Sequence, residues 1–126
     1  MILVDTTPLV ALCDSRDSQH AIAVKQLEKL TPAGLCTCEA VLMESCFHLP
    51  HREQRQRLHA LLDRLLISPL PGSYDQAEHE PDWADACIAV LCGHDRRLRV
   101  WTYDHEFHTT WRRPDGTLIP LAIKAS

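Results

Sequence analysis

Met1-Ile2-Leu3-Val4-Asp5-Thr6-Thr7-Pro8 is an apolar run that stops at an acid, two hydroxyls and a proline. Consecutive apolar residues without alternation fit a strand buried on both faces of a parallel sheet. Asp5 then sits at or just past the carboxyl end of that strand. Thr6 or Thr7 can cap the next element, and Pro8 suits the first turn of a helix. Ligands of open α/β sheets gather at the carboxyl ends of the strands, so Asp5 is a candidate site residue on a central strand. The competing reading is a buried Asp that hydrogen-bonds the following turn.

Outward from this stretch, helical and strand patterns alternate. Leu9 to Leu12 continue as a short buried helix into Cys13, and the loop that follows offers Ser18 as a cap. His20 to Leu30 predicts an amphipathic helix whose stripe is Ala21, Val24, Leu27 and Leu30. Leu35-Cys36-Thr37 is a second strand. Cys38 to Leu49 has helical spacing, with Val41, Leu42, Ser45, Cys46 and Leu49 on one face, and Arg52 to Leu66 is a longer helix. Ile67 to Leu70 reads as a third strand, Asp82 to Cys92 as a helix, Val100-Trp101 as a fourth strand and Leu118 to Ile123 as a final one. This alternation predicts an α/β fold with a mainly parallel sheet covered on both faces. The 126 residues fit a single domain, residues 1–126, because Pro69-Leu70-Pro71-Gly72-Ser73 is too short to separate two.

Composition narrows the class. The chain is 45% hydrophobic and 24% charged, as in a soluble globular domain. No apolar run reaches the ~18–20 residues that span a bilayer, and the N-terminus lacks the basic and apolar regions of a signal peptide. A cytoplasmic protein without a membrane partner is the expectation. Lys plus Arg number 13 against 17 Asp plus Glu, a net charge of −4, which argues against bulk attraction to nucleic acid. Arginines do cluster locally at Arg52, Arg55, Arg57 and Arg64. The six cysteines lie mostly in apolar segments without a Cys-x-x-Cys, and read as reduced core thiols. His105-x-x-His108 has no matching Cys or His cluster for a transition-metal site.

Four acids stand out: Asp5, Glu44, Asp85 and Asp104. Two end strands and two are read near the starts of helices, and in a parallel sheet strand carboxyl ends share an edge with the amino ends of the helices that follow. Glu39 and Glu44 are about 140° apart around a helix, so only one can face such a site. Asp82 and Asp85 nearly make a capping box. Asp85, however, leads directly into the apolar stripe Ile88, Ala89 and Cys92, where an acid needs a partner or a cation. Carboxylates converging in one cleft repel each other unless a cation sits among them, and hard oxygen donors select Mg²⁺ or Mn²⁺. Such an ion activates water and stabilises phosphoryl oxygens.

In this order and spacing the motifs resemble the PIN-domain family, and within it the VapC-like toxin ribonucleases. The resemblance rests on Ile2-Leu3-Val4-Asp5-Thr6-Thr7, Val41-Leu42-Met43-Glu44, Asp82-Trp83-Ala84-Asp85-Ala86-Cys87-Ile88-Ala89 and Trp101-Thr102-Tyr103-Asp104-His105-Glu106-Phe107. It implies a three-layer α/β/α sandwich with a five-stranded parallel sheet. It also implies a catalytic and metal-binding tetrad of Asp5, Glu44, Asp85 and Asp104, with Thr6, Asp82 and Thr102 as accessory residues. The implied activity is Mg²⁺- or Mn²⁺-dependent endonucleolytic cleavage of RNA, leaving 5′-phosphate and 3′-hydroxyl ends. The implied partners are a cognate antitoxin protein and a second copy of the chain. Two features depart from the family pattern: the polar Glu78-His79-Glu80-Pro81, and the bulky Trp101, Tyr103 and His105 around the last acid.

Rival readings fit less well. A haloacid-dehalogenase-like phosphatase needs a second Asp two residues after the first, where this chain has Thr7. A response-regulator receiver wants its acid pair near the N-terminus, but Asp14 and Asp17 lie in a loop after a helix. A catalytically silent PIN domain acting as a binding module is countered by the intact tetrad.

Overall fold

In the computed structural model, which describes residues 1–65, 67–70 and 83–123, Ile2–Val4 forms strand β1 and all three side chains are buried. Successive strand residues point to opposite sides, so both faces of β1 are covered. The chain continues through α1 (Thr6–Cys13), α2 (His20–Leu30), a 3₁₀ turn (Thr31–Ala33), β2 (Leu35–Cys38), α3 (Glu39–Phe47) and α4 (Arg52–Leu65). It ends with β3 (Ser68–Leu70), α5 (Trp83–His94), β4 (Arg99–Trp101) and the short α6 (Glu106–Thr109). The expected helix over Asp82 to Cys92 thus starts, among the described residues, at Trp83. Asp82 and the segment Glu78-His79-Glu80-Pro81 lie outside the described residues.

The sheet is parallel, in the order β3-β2-β1-β4. The chain steps outward from β1 to β2 and β3, then returns to place β4 on the other side of β1. That reversal opens a crevice at the carboxyl ends of β1 and β4, the place where open α/β sheets bind ligands. Gly34, at φ +82°, turns the chain into β2, and its carbonyl accepts the Ile2 N–H at 2.8 Å. The buried Thr37 hydroxyl donates to the Val4 carbonyl at 2.9 Å, tying β2 to the last residue of β1.

The structure corrects several expectations. The described residues form four paired strands, not five. The segment expected as a fifth strand makes a single parallel bridge, Val100 with Leu121, closed by Val100 N–H to Pro120 O and Ala122 N–H to Val100 O. Pro120 has no N–H to donate, so the ladder cannot extend through it. The N-cap of α1 is Asp5 rather than a threonine, and its side chain makes no cap bond because it is engaged elsewhere. On α2 Ala23 and Leu30 are buried and Leu27 is half-buried against the core, while Ala21 and Val24 are exposed. Gln26 shares the inward sector and bonds the rings of Trp101 and Tyr103, so a polar residue masked the true stripe. On α3 the buried side is Ala40, Val41 and Ser45, and Cys46 is exposed. The other five cysteines are buried, and none of the six forms a disulfide. Burial pushes Cys13 and Cys36 up to about 11 and Cys92 up to about 12, so they stay protonated and unreactive. None of the described helices is long and apolar enough to cross a membrane.

These burials predict a contrast. Leu3→Ala, at the centre of the sheet and 0% exposed, should cost about 2–5 kcal/mol in chemical denaturation. Val24→Ser should change stability by less than about 0.5 kcal/mol; a loss near that of Leu3→Ala would restore the stripe read from the sequence.

Candidate active site

Asp5 leaves β1 at the sheet's edge, and its own N–H is fixed to the Trp101 carbonyl at 2.9 Å, which locks the ends of β1 and β4 together. Its side chain is buried. Oδ2 accepts the Thr102 hydroxyl at 2.6 Å, and the same hydroxyl oxygen accepts the Asp104 N–H at 3.0 Å. One threonine therefore sets both acids, giving its proton to the first and a lone pair to the backbone of the second. Asp104 Oδ1 in turn accepts the Glu106 N–H at 2.9 Å, a turn that starts α6. Across the cleft floor the Thr6 hydroxyl donates to Glu44 Oε2 at 3.1 Å, joining α1 to α3. His48, one turn after Glu44, approaches its other oxygen at 4.0 Å.

Asp5, Thr6, Glu44, Asp85 and Asp104 line one cleft of about 340 Å³. Thr102 lies buried behind Asp5. Asp85, in the first turn of α5, is 7% exposed, which an acid used only as a surface cap would not be. Glu39 is exposed, as the helical spacing from Glu44 requires.

The sequence did not single out Glu106. Carboxylate oxygens of Asp85, Asp104 and Glu106 all lie within 4.8 Å of one another. Two oxygens on opposite sides of a Mg²⁺ ion are about 4.2 Å apart, so small side-chain adjustments would let this hard-oxygen set fit such an ion. The available signal was the Asp104-His105-Glu106 spacing. An Asp whose carboxylate accepts the N–H two positions on folds that residue back toward the site.

Burial is the main reason that the Asp5 carboxyl is raised from the ordinary 3.8 to about 6. Bonds from Thr102 and the Thr6 backbone work against this, while the charges of Glu44 and Asp104 add to it.

The PIN domain family model matches residues 2–111. With the fold and these residues, the chain belongs to the PIN-domain family. None of the curated proteins matches the sequence. Among solved structures the chain is similar to VapC20 of Mycobacterium tuberculosis, described as a sarcin-ricin loop cleaving toxin, with a TM-score of 0.65. Identity is 21%, over 86% of this chain and 93% of that one, and the likeness is one of fold.

The Asp5 environment gives a pH dependence. Without metal, the folded state holds the Asp5 proton up to about pH 6, whereas the unfolded chain releases it near 3.8. The contribution of Asp5 to stability is therefore greatest below pH ~4 and falls as pH rises to about 6, by roughly 3 kcal/mol. In EDTA the stability difference, wild type minus Asp5→Asn, should fall across that window. A difference that stays flat from pH 4 to 7 would mean Asp5 is solvated.

Proposed function

We propose that the chain is a divalent-metal-dependent endoribonuclease of the VapC type, the toxin of a type II toxin–antitoxin pair, acting in the cytoplasm. The observation that carries this reading is that Asp5, Glu44, Asp85 and Asp104 line one cleft at the switch point of a PIN-domain sheet. The three-layer α/β/α arrangement belongs to the same reading, supported by the burial of every β1 side chain.

Asp5, Asp85, Asp104 and Glu106 would hold Mg²⁺ or Mn²⁺. When bound, such an ion supplies a polarised water and neutralises charge on phosphoryl oxygens. The protein's part is positioning. Thr102 fixes Asp5 and the backbone of Asp104 in register. Thr6 orients Glu44, whose carboxylate would hydrogen-bond the attacking water and take up its proton. Thr102 and Thr6 are thus positioning residues; the place of Asp82 in the site is an expectation of the family resemblance alone. A second cleft of about 680 Å³ meets the first at His48 and carries Arg16 and Arg57, which we assign to backbone phosphates on either side of the cut.

The proposed partners are RNA, a cognate antitoxin and a second copy of the chain. The exposed apolar side of α3, with Phe47 81% and Met43 60% accessible, supports a protein partner.

Purified protein incubated with total RNA should cleave in Mg²⁺ or Mn²⁺, stop in EDTA and leave 5′-phosphate ends. Asp5→Asn should lose at least a hundredfold in rate. Undiminished cleavage by Asp5→Asn would sink the assignment.

A thermal measurement tests the ligand set separately. An ion that binds only the folded state raises Tm by mass action. Glu106→Gln removes one charge from a crowded cluster, so it should melt at or above wild type in EDTA yet gain less from millimolar Mn²⁺. A full Mn²⁺ shift in Glu106→Gln would exclude Glu106 from the site.

A further inference from the structure

One part of the acidic cleft is not acidic. Val10 and Tyr103 line it beside the carboxylates, and Tyr103 sits in the chain between Thr102 and Asp104. Its side chain is half-buried and packs against the core, at a position that lines the cleft.

Tyr103 is held at both ends. Its N–H donates to the Thr7 hydroxyl at 3.0 Å, and its phenol donates to Gln26 Oε1 at 2.5 Å. The same amide oxygen accepts the indole N–H of the fully buried Trp101 at 3.1 Å. Gln26 thus gives a position on the inward side of α2 to anchoring two rings. The ring is immobilised before any ligand arrives, so little side-chain entropy remains to be lost on binding. A flat, rigid aromatic next to an acid assigned to phosphodiester cleavage offers what those acids cannot, a surface for a nucleobase.

Resting on the ribonuclease reading, we propose that Tyr103 is a nucleobase platform: a base flanking the scissile phosphate stacks on its ring, with Val10 extending the apolar surface. The consequence is selectivity for unpaired RNA. A base inside a duplex is already stacked on its neighbours, and only a single strand, loop or bulge can splay one out onto a protein ring. Phosphate and base are then read by different sides of one cleft, the carboxylates through a cation and Tyr103 by contact. Tyr103 is a specificity residue in this scheme, with no part in proton transfer.

The test uses a single-stranded oligoribonucleotide carrying 2-aminopurine, a base whose fluorescence is quenched by stacking. Protein carrying Asp5→Asn, in Mn²⁺, serves as the non-cleaving background for binding, and protein with native Asp5 is assayed for cleavage of the same oligonucleotide. Binding should quench the probe at one position. Adding Tyr103→Ala should abolish the quench and weaken binding by about 5- to 150-fold, the range equivalent to ~1–3 kcal/mol per stacked base. Tyr103→Phe should retain both within about threefold, and a fully paired duplex of the same sequence should be cut far more slowly than the single strand.

Tyr103→Leu covers the case in which Tyr103→Ala fails to fold. It keeps apolar bulk without a flat face, so stacking predicts loss of the quench and mere packing predicts that binding is retained. Cleavage by the native protein together with an unchanged quench and affinity in Tyr103→Ala or Tyr103→Leu would overturn the platform and leave the nuclease standing. Absence of both cleavage and binding in the protein with native Asp5 would overturn the two together.

Discussion

A carboxylate kept out of water beside other carboxylates is the constraint from which the rest of this structure follows. Asp5 is buried, and Asp85, Asp104 and Glu106 bring their oxygens to within 4.8 Å of one another close by. At that separation and an effective dielectric near 20, one fully charged pair repels by roughly 3 kcal/mol before screening and relaxation. The site is therefore unfavourable by itself, and the apolar core has to hold it together. Every residue of β1 is buried, and β1 lies between β2 and β4 with its last carbonyl tied to Thr37. The most firmly placed part of the sheet thus delivers the most costly charge.

Hydroxyl groups do the fine placement. Thr102, Thr6 and Thr7 each form one long-range bond at the sheet's edge: to Asp5, to Glu44 and from Tyr103, respectively. A hydroxyl suits this work because it donates and accepts without adding charge to a crowded region. Thr102 uses both capacities, so Asp5 and Asp104 cannot shift independently. Replacing it by valine would keep the shape and release both acids at once.

The sequence made Asp5 legible because a doubly buried strand leaves an unbroken apolar run, and whatever stops that run marks the strand's end. Helix spacing likewise separated Glu44 from Glu39. What it hid has physical causes. The inward side of α2 contains Gln26, whose two partners are more than seventy residues away, so local hydropathy assigned the stripe to its neighbours. Glu106 joins the acids only because Asp104 turns the chain, a bond within three residues that apolar periodicity does not register. The expected fifth strand fails at Pro120, where the apolar pattern is right and the missing donor limits pairing to one bridge. The family resemblance supplied the order of the acids, while the geometry supplied their bonds.

Among the described residues, each side of the sheet carries a proline. On one side β3 pairs with β2 through Pro69, and a proline has no N–H to offer a neighbouring strand. On the other side Val100 has both its backbone groups engaged by Pro120 and Ala122. Among the described residues, Pro69 and the engaged Val100 interrupt the rows of donors that strand addition and edge-to-edge aggregation use. A partner that recognises side chains on the helices, or fills the cleft itself, does not depend on those rows, and recognition of that kind can be specific in a way that backbone pairing is not.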